Sequence, residues 1–109
     1  MKLQGLFSYC GDYFDPQKLR DYDVVKKFLL ESGEILGMRS PNLYIRGATP
    51  TPDNPEGERI FKGVNLGSQV SIFADFVPQK NRLSLCVFHD ELAEGVLDEI
   101  CNLAEATFS

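Results

Sequence analysis

Apolar residues recur along this chain at two periods, and the switches between them mark out its elements. From Lys2 to Cys10 the alternation is two-fold, with Leu3, Phe7 and Tyr9 on one side and Leu6, Ser8 and Cys10 on the other, before Gly11-Asp12. That pattern predicts a strand and a turn. Asp15-Pro16 has the form of an N-cap followed by proline at the first helical position. Val25, Phe28, Leu29, Ser32, Ile35 and Leu36 then fall at helical spacing. The spacing predicts an amphipathic helix that ends near Gly37 and is broken around Asp21 to Asp23. Gly33 lies inside it and costs about 1 kcal/mol relative to alanine. Ser40-Pro41 disfavours more helix, so Leu43 to Arg46 is expected to be a short strand that returns the chain beside the first one.

Two-fold alternation resumes in the second half. Arg59 to Leu66 and Gln69 to Val77 read as strands, with Val70, Ile72, Ala74 and Phe76 in one apolar row against Ser71, Phe73 and Asp75. Pro78 to Arg82 reads as a hairpin connection, after which Leu83, Leu85 and Val87 lie opposite Ser84, Cys86 and Phe88. Asp90 is expected to cap a last helix with the stripe Leu92, Val96, Leu97, Ile100, Leu103 and Ala104. Residues 48–57 hold Pro50, Pro52 and Pro55 and no apolar residue larger than alanine, which predicts a mobile loop whose acids, Asp53 and Glu56, are solvated. The predicted fold is α+β. It is a two-layer sandwich, a mostly antiparallel sheet of four to five strands with two helices on one face, in a single domain spanning 1–109.

Composition narrows the function classes. A chain of 109 residues, 43% hydrophobic, suffices for one core. No apolar run reaches 18 residues and Met1 to Gly11 holds no secretory h-region, so the expectation is a soluble, cytoplasmic protein without membrane contact. Cys10, Cys86 and Cys101 are odd in number and irregular in spacing, which points to reduced thiols. All basic residues lie before Leu83, balanced against ten acids, whereas Leu83 to Ser109 carries six acids and no base. No basic stripe exists for a phosphate backbone, so nucleic acid is not an expected partner. The acidic helix is either a solvated face with acids at its N-terminal turn or a docking face for a basic partner through Asp98 and Glu99.

Chemistry has few carriers here. His89 is the only histidine, so any serine or cysteine mechanism with an imidazole base must use it. A zinc site would combine Cys86, His89 and another thiol, yet residues three apart in a strand face opposite sides unless the strand ends between them. No metal is expected. Gly63 and Gly67 fit neither GxGxxG nor GxxxxGK[ST], which leaves no nucleotide motif.

One segment carries a family likeness. Residues 63–73 read GVNLGSQVSIF, which resembles the processing segment of the prokaryotic S-adenosylmethionine decarboxylases, small pyruvoyl-dependent enzymes. There a glycine-containing strand leads to Glu-Ser, then His, an apolar residue and Ser-Ile-His, with a Cys in the following strand. The first strand, the Asp-Pro-x-x-Leu helix start and the long helix are similar in layout. The resemblance implies that Ser68 matches the serine that becomes the pyruvoyl group and that Gly67 replaces the preceding glutamate. Phe73 stands at the processing histidine. Cys86 falls two positions short of the catalytic cysteine, whose place Phe88 takes. A phenylalanine neither polarises a carbonyl nor moves a proton, so Ser68 is expected to remain a serine. The reading that follows is a non-catalytic binding or regulatory domain, without cofactor, that forms a homodimer through Phe73 and Phe88 on the strand sides opposite the apolar rows. Its alternatives are a divergent S-adenosylmethionine decarboxylase-like enzyme working through Ser68 or Cys86, with a pyruvoyl group from Ser68, and an inhibitor-type protein that binds a basic partner through its acidic helix.

Overall fold

The segments of two-fold alternation form one five-stranded sheet, and those of helical spacing lie together on one of its faces. The computed structural model describes residues 4–47, 52, 58–65, 67–75, 81–89 and 95–109. In chain order its elements are β1 (Gln4–Gly11), α1 (Pro16–Arg20), α2 (Tyr22–Ile35), β2 (Asn42–Gly47), β3 (Glu58–Asn65), β4 (Ser68–Asp75), β5 (Arg82–His89) and α3 (Val96–Phe108). This is the α+β sandwich that the periodicity predicts.

Side-chain caps shape the helical layer. The Asp15 carboxylate accepts a hydrogen bond from the Gln17 amide at 2.9 Å and starts α1 with Pro16 at its first position. Asp21 is extended, with ψ 114°, and its carboxylate accepts from the Asp23 and Val24 amides at 3.0 and 3.3 Å. The expected break is therefore a cap that closes one helix and opens the next. At the far end of α2, Gly37 has φ +75°, and the amides of Met38 and Gly37 donate to the carbonyls of Gly33 and Glu34 at 2.8 and 3.0 Å. This pair of bonds ends the helix in a Schellman motif. Gly33 also has a packing reason: a Cβ there would lie 3.4 Å from Pro41 Cγ and 3.5 Å from Met38 Cβ.

The strand order is β1-β5-β4-β3-β2, every pair antiparallel. One expectation is corrected: Leu43 to Arg46 belongs to a strand, but β2 pairs with β3 at the edge opposite β1. The four later strands run as an antiparallel meander, and the free edge of its last strand, β5, takes β1 as partner. The chain from β1 to β2 thus crosses the whole helical face.

Core packing follows the predicted rows. Val70, Ile72, Ala74, Leu83, Leu85 and Val87 are fully buried against Leu19, Val25, Phe28, Leu29, Ile100 and Ala104. Phe61 and Phe108 join them, the Phe108 ring centroid lying 5.2 Å from Phe28 and 5.9 Å from Phe61. The Asp15 amide donates to the Phe108 carbonyl at 2.8 Å, and Lys18 Nζ donates to the Ser109 carbonyl. Helix α3 is capped at Gly95 without a side-chain bond. The Asp90 cap, Leu92, Phe76, the Pro78 to Lys80 part of the hairpin and the loop of residues 48–57, Pro52 aside, lie outside the described residues. Among the described residues no helix is long and apolar enough to cross a membrane.

Candidate functional site

Because the helices occupy one face of the sheet, the residues of opposite parity line a face that no helix among the described residues covers. Strand registers arrange this face in three cross-strand rows. Arg46, Ile60, Phe73, Ser84 and Tyr9 form one; Tyr44, Lys62, Ser71, Cys86 and Phe7 the next; Asn42, Val64, Gln69, Phe88 and Gly5 the third. Directly opposed residues hold their Cβ atoms about 4.5–5.5 Å apart, so each row is a line of neighbours.

The part of the face formed by β1, β5 and the adjoining Phe73 of β4 is aromatic. Phe7 is 67% exposed, Tyr9 56% and Phe88 36%, whereas Phe73 is half-buried. Phe7 and Phe73 pack with centroids 6.5 Å apart. Phe88 lies over the bare backbone of Gly5, where an added Cβ would stand 2.6 Å from its Cε1. A bulge between Tyr9 and Gly11 then bends β1. Beside it the Tyr9 hydroxyl donates to the Asp12 carboxylate, and Arg82 Nε lies 3.3 Å from the same carboxylate. That hydrogen bond, followed by burial and the negative charge of Asp12, raises the Tyr9 pKa.

Along β2 and β3 the face hollows into a groove of about 600 Å³, lined by Tyr44, Arg46, Ile60, Lys62, Val64 and Gln69, with Leu43 and Ile45 in its wall. Ile60 and Val64 give it an apolar floor. Tyr44 stands directly across from Lys62 and Arg46 across from Ile60, so both cations lie on neighbouring strands. Gln69 is tied down by a bond from its Nε2 to Ser71 Oγ at 2.7 Å, and Ser71 is itself buried. Sequence reasoning missed this groove. The alternation of Leu43 to Arg46 could have placed Tyr44 and Arg46 together, but the β2–β3 pairing that brings Lys62 beside them joins separate segments.

The residues singled out from the sequence fall on both sides of the sheet. Phe73 and Phe88 share the uncovered face, but about four residues along β5 separate their register positions, roughly 13 Å. Cys86 is on that face, half-buried opposite Ser71 and Phe7, and burial raises its thiol pKa. Ser68 is on the helical side. The structure does not bring Ser68 and Cys86 together; instead it sets Ser68 directly across from His89. The strand continues through His89, so Cys86 and His89 point to opposite faces. Asn65 pairs with Ser68, and Gly67, just before Ser68, has φ +78°, a conformation that glycine adopts without steric cost.

The two remaining cysteines meet on the helical side. Cys101 Sγ lies 3.7 Å from Ser8 Oγ, and burial, followed by a hydrogen bond with Cys101, raises the Cys10 thiol well above its ordinary value. Both are half-buried, as is Cys86, rather than enclosed as small core residues. Asp98 and Glu99 are exposed in the first turn of α3, where carboxylates favour the positive end of the helix dipole. Comparison of the chain with family models, with curated proteins and with solved structures returns no match.

Proposed function

We propose that this chain is a non-catalytic binding or regulatory domain whose working surface is the uncovered face of its sheet, and that a second copy covers the aromatic part. The observation that carries the reading is the gathering of Phe7, Tyr9, Phe73 and Phe88 on one face while the opposite face already holds the core. Exposed apolar patches of this kind mark contact surfaces. A face shared between two copies about a two-fold axis would bury the same rings on both. Light scattering tests it. The expected mass is about twice 12.2 kDa, falling to the monomer in Phe73→Ser and Phe88→Ser. A wild-type monomer at high micromolar concentration would sink the dimer.

A second reading, the divergent decarboxylase-like enzyme, is favoured by one observation: the sole histidine stands across from Ser68. Phe73 leaves Ser68 without a base from its own strand, and His89 is placed to supply one from the next. Against it stands the sheet itself, which separates Ser68 from Cys86. Intact-mass measurement decides between the two. One unmodified 109-residue mass removes self-processing, and two fragments divided before Ser68, the second with a pyruvoyl end, would replace the binding reading with the enzyme.

A further inference from the structure

The groove along β2 and β3 differs in chemistry from the aromatic part of the same face. We propose that it binds a small ligand that joins an anionic group, carboxylate or phosphate, to a planar or apolar body. This rests on the reading of the uncovered face as the working surface.

Three features set the ligand class. First, the groove carries two cations in a chain of net charge -5. The acids of α3, Asp98, Glu99 and Glu105, belong to the helical layer on the other side of the sheet, and the acids that share this face by register, Glu58 and Asp75, stand one row beyond Ile60, outside the described lining of the groove. Arg46 offers a planar fork suited to two oxygens and Lys62 a point charge next to it. Second, Ile60 and Val64 form an apolar floor and Tyr44 a ring directly across from Lys62, which suits a planar or aliphatic body rather than a bare ion. Third, the size fits. A groove of about 600 Å³ falls within the range of small-molecule sites, and its two cations are too few for the run of phosphate contacts a nucleic-acid backbone needs. A neutral ligand of the same shape would forgo the charge-assisted hydrogen bonds that an anion can make to Arg46 and Lys62. The Gln69 amide, held by Ser71, adds a fixed polar group to the lining.

The test uses 2-naphthoate, 2-naphthyl phosphate and neutral 2-naphthylmethanol, titrated into the full chain and followed by amide chemical shifts. The expected result is shifts centred on Tyr44, Arg46, Ile60, Lys62 and Val64 with either anion, and binding of the alcohol at least about tenfold weaker. Arg46→Gln and Lys62→Gln should each weaken the anions about tenfold, the scale of one charge-assisted hydrogen bond, and leave the alcohol unchanged. Lys62→Arg should keep most of the affinity. The stronger of the two anions identifies the acid group. Equal affinity for the alcohol, shifts confined to β1 and β5, indifference to both glutamine variants, or no binding by any probe would each overturn the proposal. If the anions fail while the chain is dimeric through Phe73 and Phe88, the groove falls and the open-face reading stands. If both fail, both fall.

Discussion

Two glycines of the sheet, Gly5 and Gly63, face opposite layers and meet different neighbours. A methyl at Gly5 would stand 2.6 and 3.0 Å from two carbons of the Phe88 ring, so the ring must swing away. Gly5→Ala is expected to cost about 1 kcal/mol in urea unfolding, the low end of overpacking because the ring borders solvent. Gly63 is buried, yet its added methyl would meet Leu43 Cδ2 at 3.7 Å and the Leu29 carbonyl at 3.8 Å, ordinary contacts. Gly63→Ala should be neutral or stabilising by up to about 1 kcal/mol, since alanine loses less backbone entropy on folding. A neutral Gly5→Ala would show that the ring does not rest there. Cys10 gives a pH dependence. Burial and Cys101 raise its pKa above 9.0, so the folded state holds the proton more tightly than the unfolded chain. Its contribution to stability is complete below about pH 9 and is lost as pH rises beyond it. The melting temperature should therefore fall less steeply above pH 9 in Cys10→Ala than in the wild type. Equal slopes would contradict the assignment. Nothing in the spacing of the cysteines revealed the Cys10–Cys101 pair, because residues 91 positions apart meet only through the docking of α3 on β1.

The helical layer shows how much one capping residue decides. Asp21 ends α1 and starts α2, and its carboxylate satisfies two amides that the helix start would otherwise leave to water. Asp21→Ala should cost about 1 kcal/mol, and Asp21→Ser considerably less, measured by thermal unfolding. An unchanged alanine variant would mean that packing of Val25, Phe28 and Leu29 alone fixes the break. This junction was legible in the sequence because a cap is a local event within three residues. The five strands were legible as strands for the same reason. The neighbour of β2 was not: an edge strand of six residues with a half-buried, alternating pattern fits either edge of a sheet equally well. Consequently Tyr44 and Arg46 gained Lys62 as a neighbour only through the register with β3.

At the scale of the molecule, Phe108 joins the two layers. It is fully buried between Phe28 of α2 and Phe61 of β3, and its carbonyl accepts from the Asp15 amide at the start of α1. Phe108→Ala is expected to lose about 3–5 kcal/mol, and Phe108→Leu under about 2, measured by urea unfolding. A small loss in the alanine variant would show that α3 docks without it. Its place was readable in part, since Phe108 continues the stripe of Ile100 and Ala104 by one further turn. By itself the sequence determined the α+β class, the strands and their inward rows, the broken helix and the acidic last element. These are properties of single segments, set by the period at which side chains reappear on one side. Only the tertiary structure decided that β1 and β2 lie at opposite edges, that Ser68 faces His89 rather than Cys86, and that a cationic groove and an aromatic patch share the uncovered face. Those facts depend on register between segments distant in the chain. Closing a longer loop costs only slightly more than closing a shorter one, so local pattern cannot choose among pairings, and the burial of the whole core does.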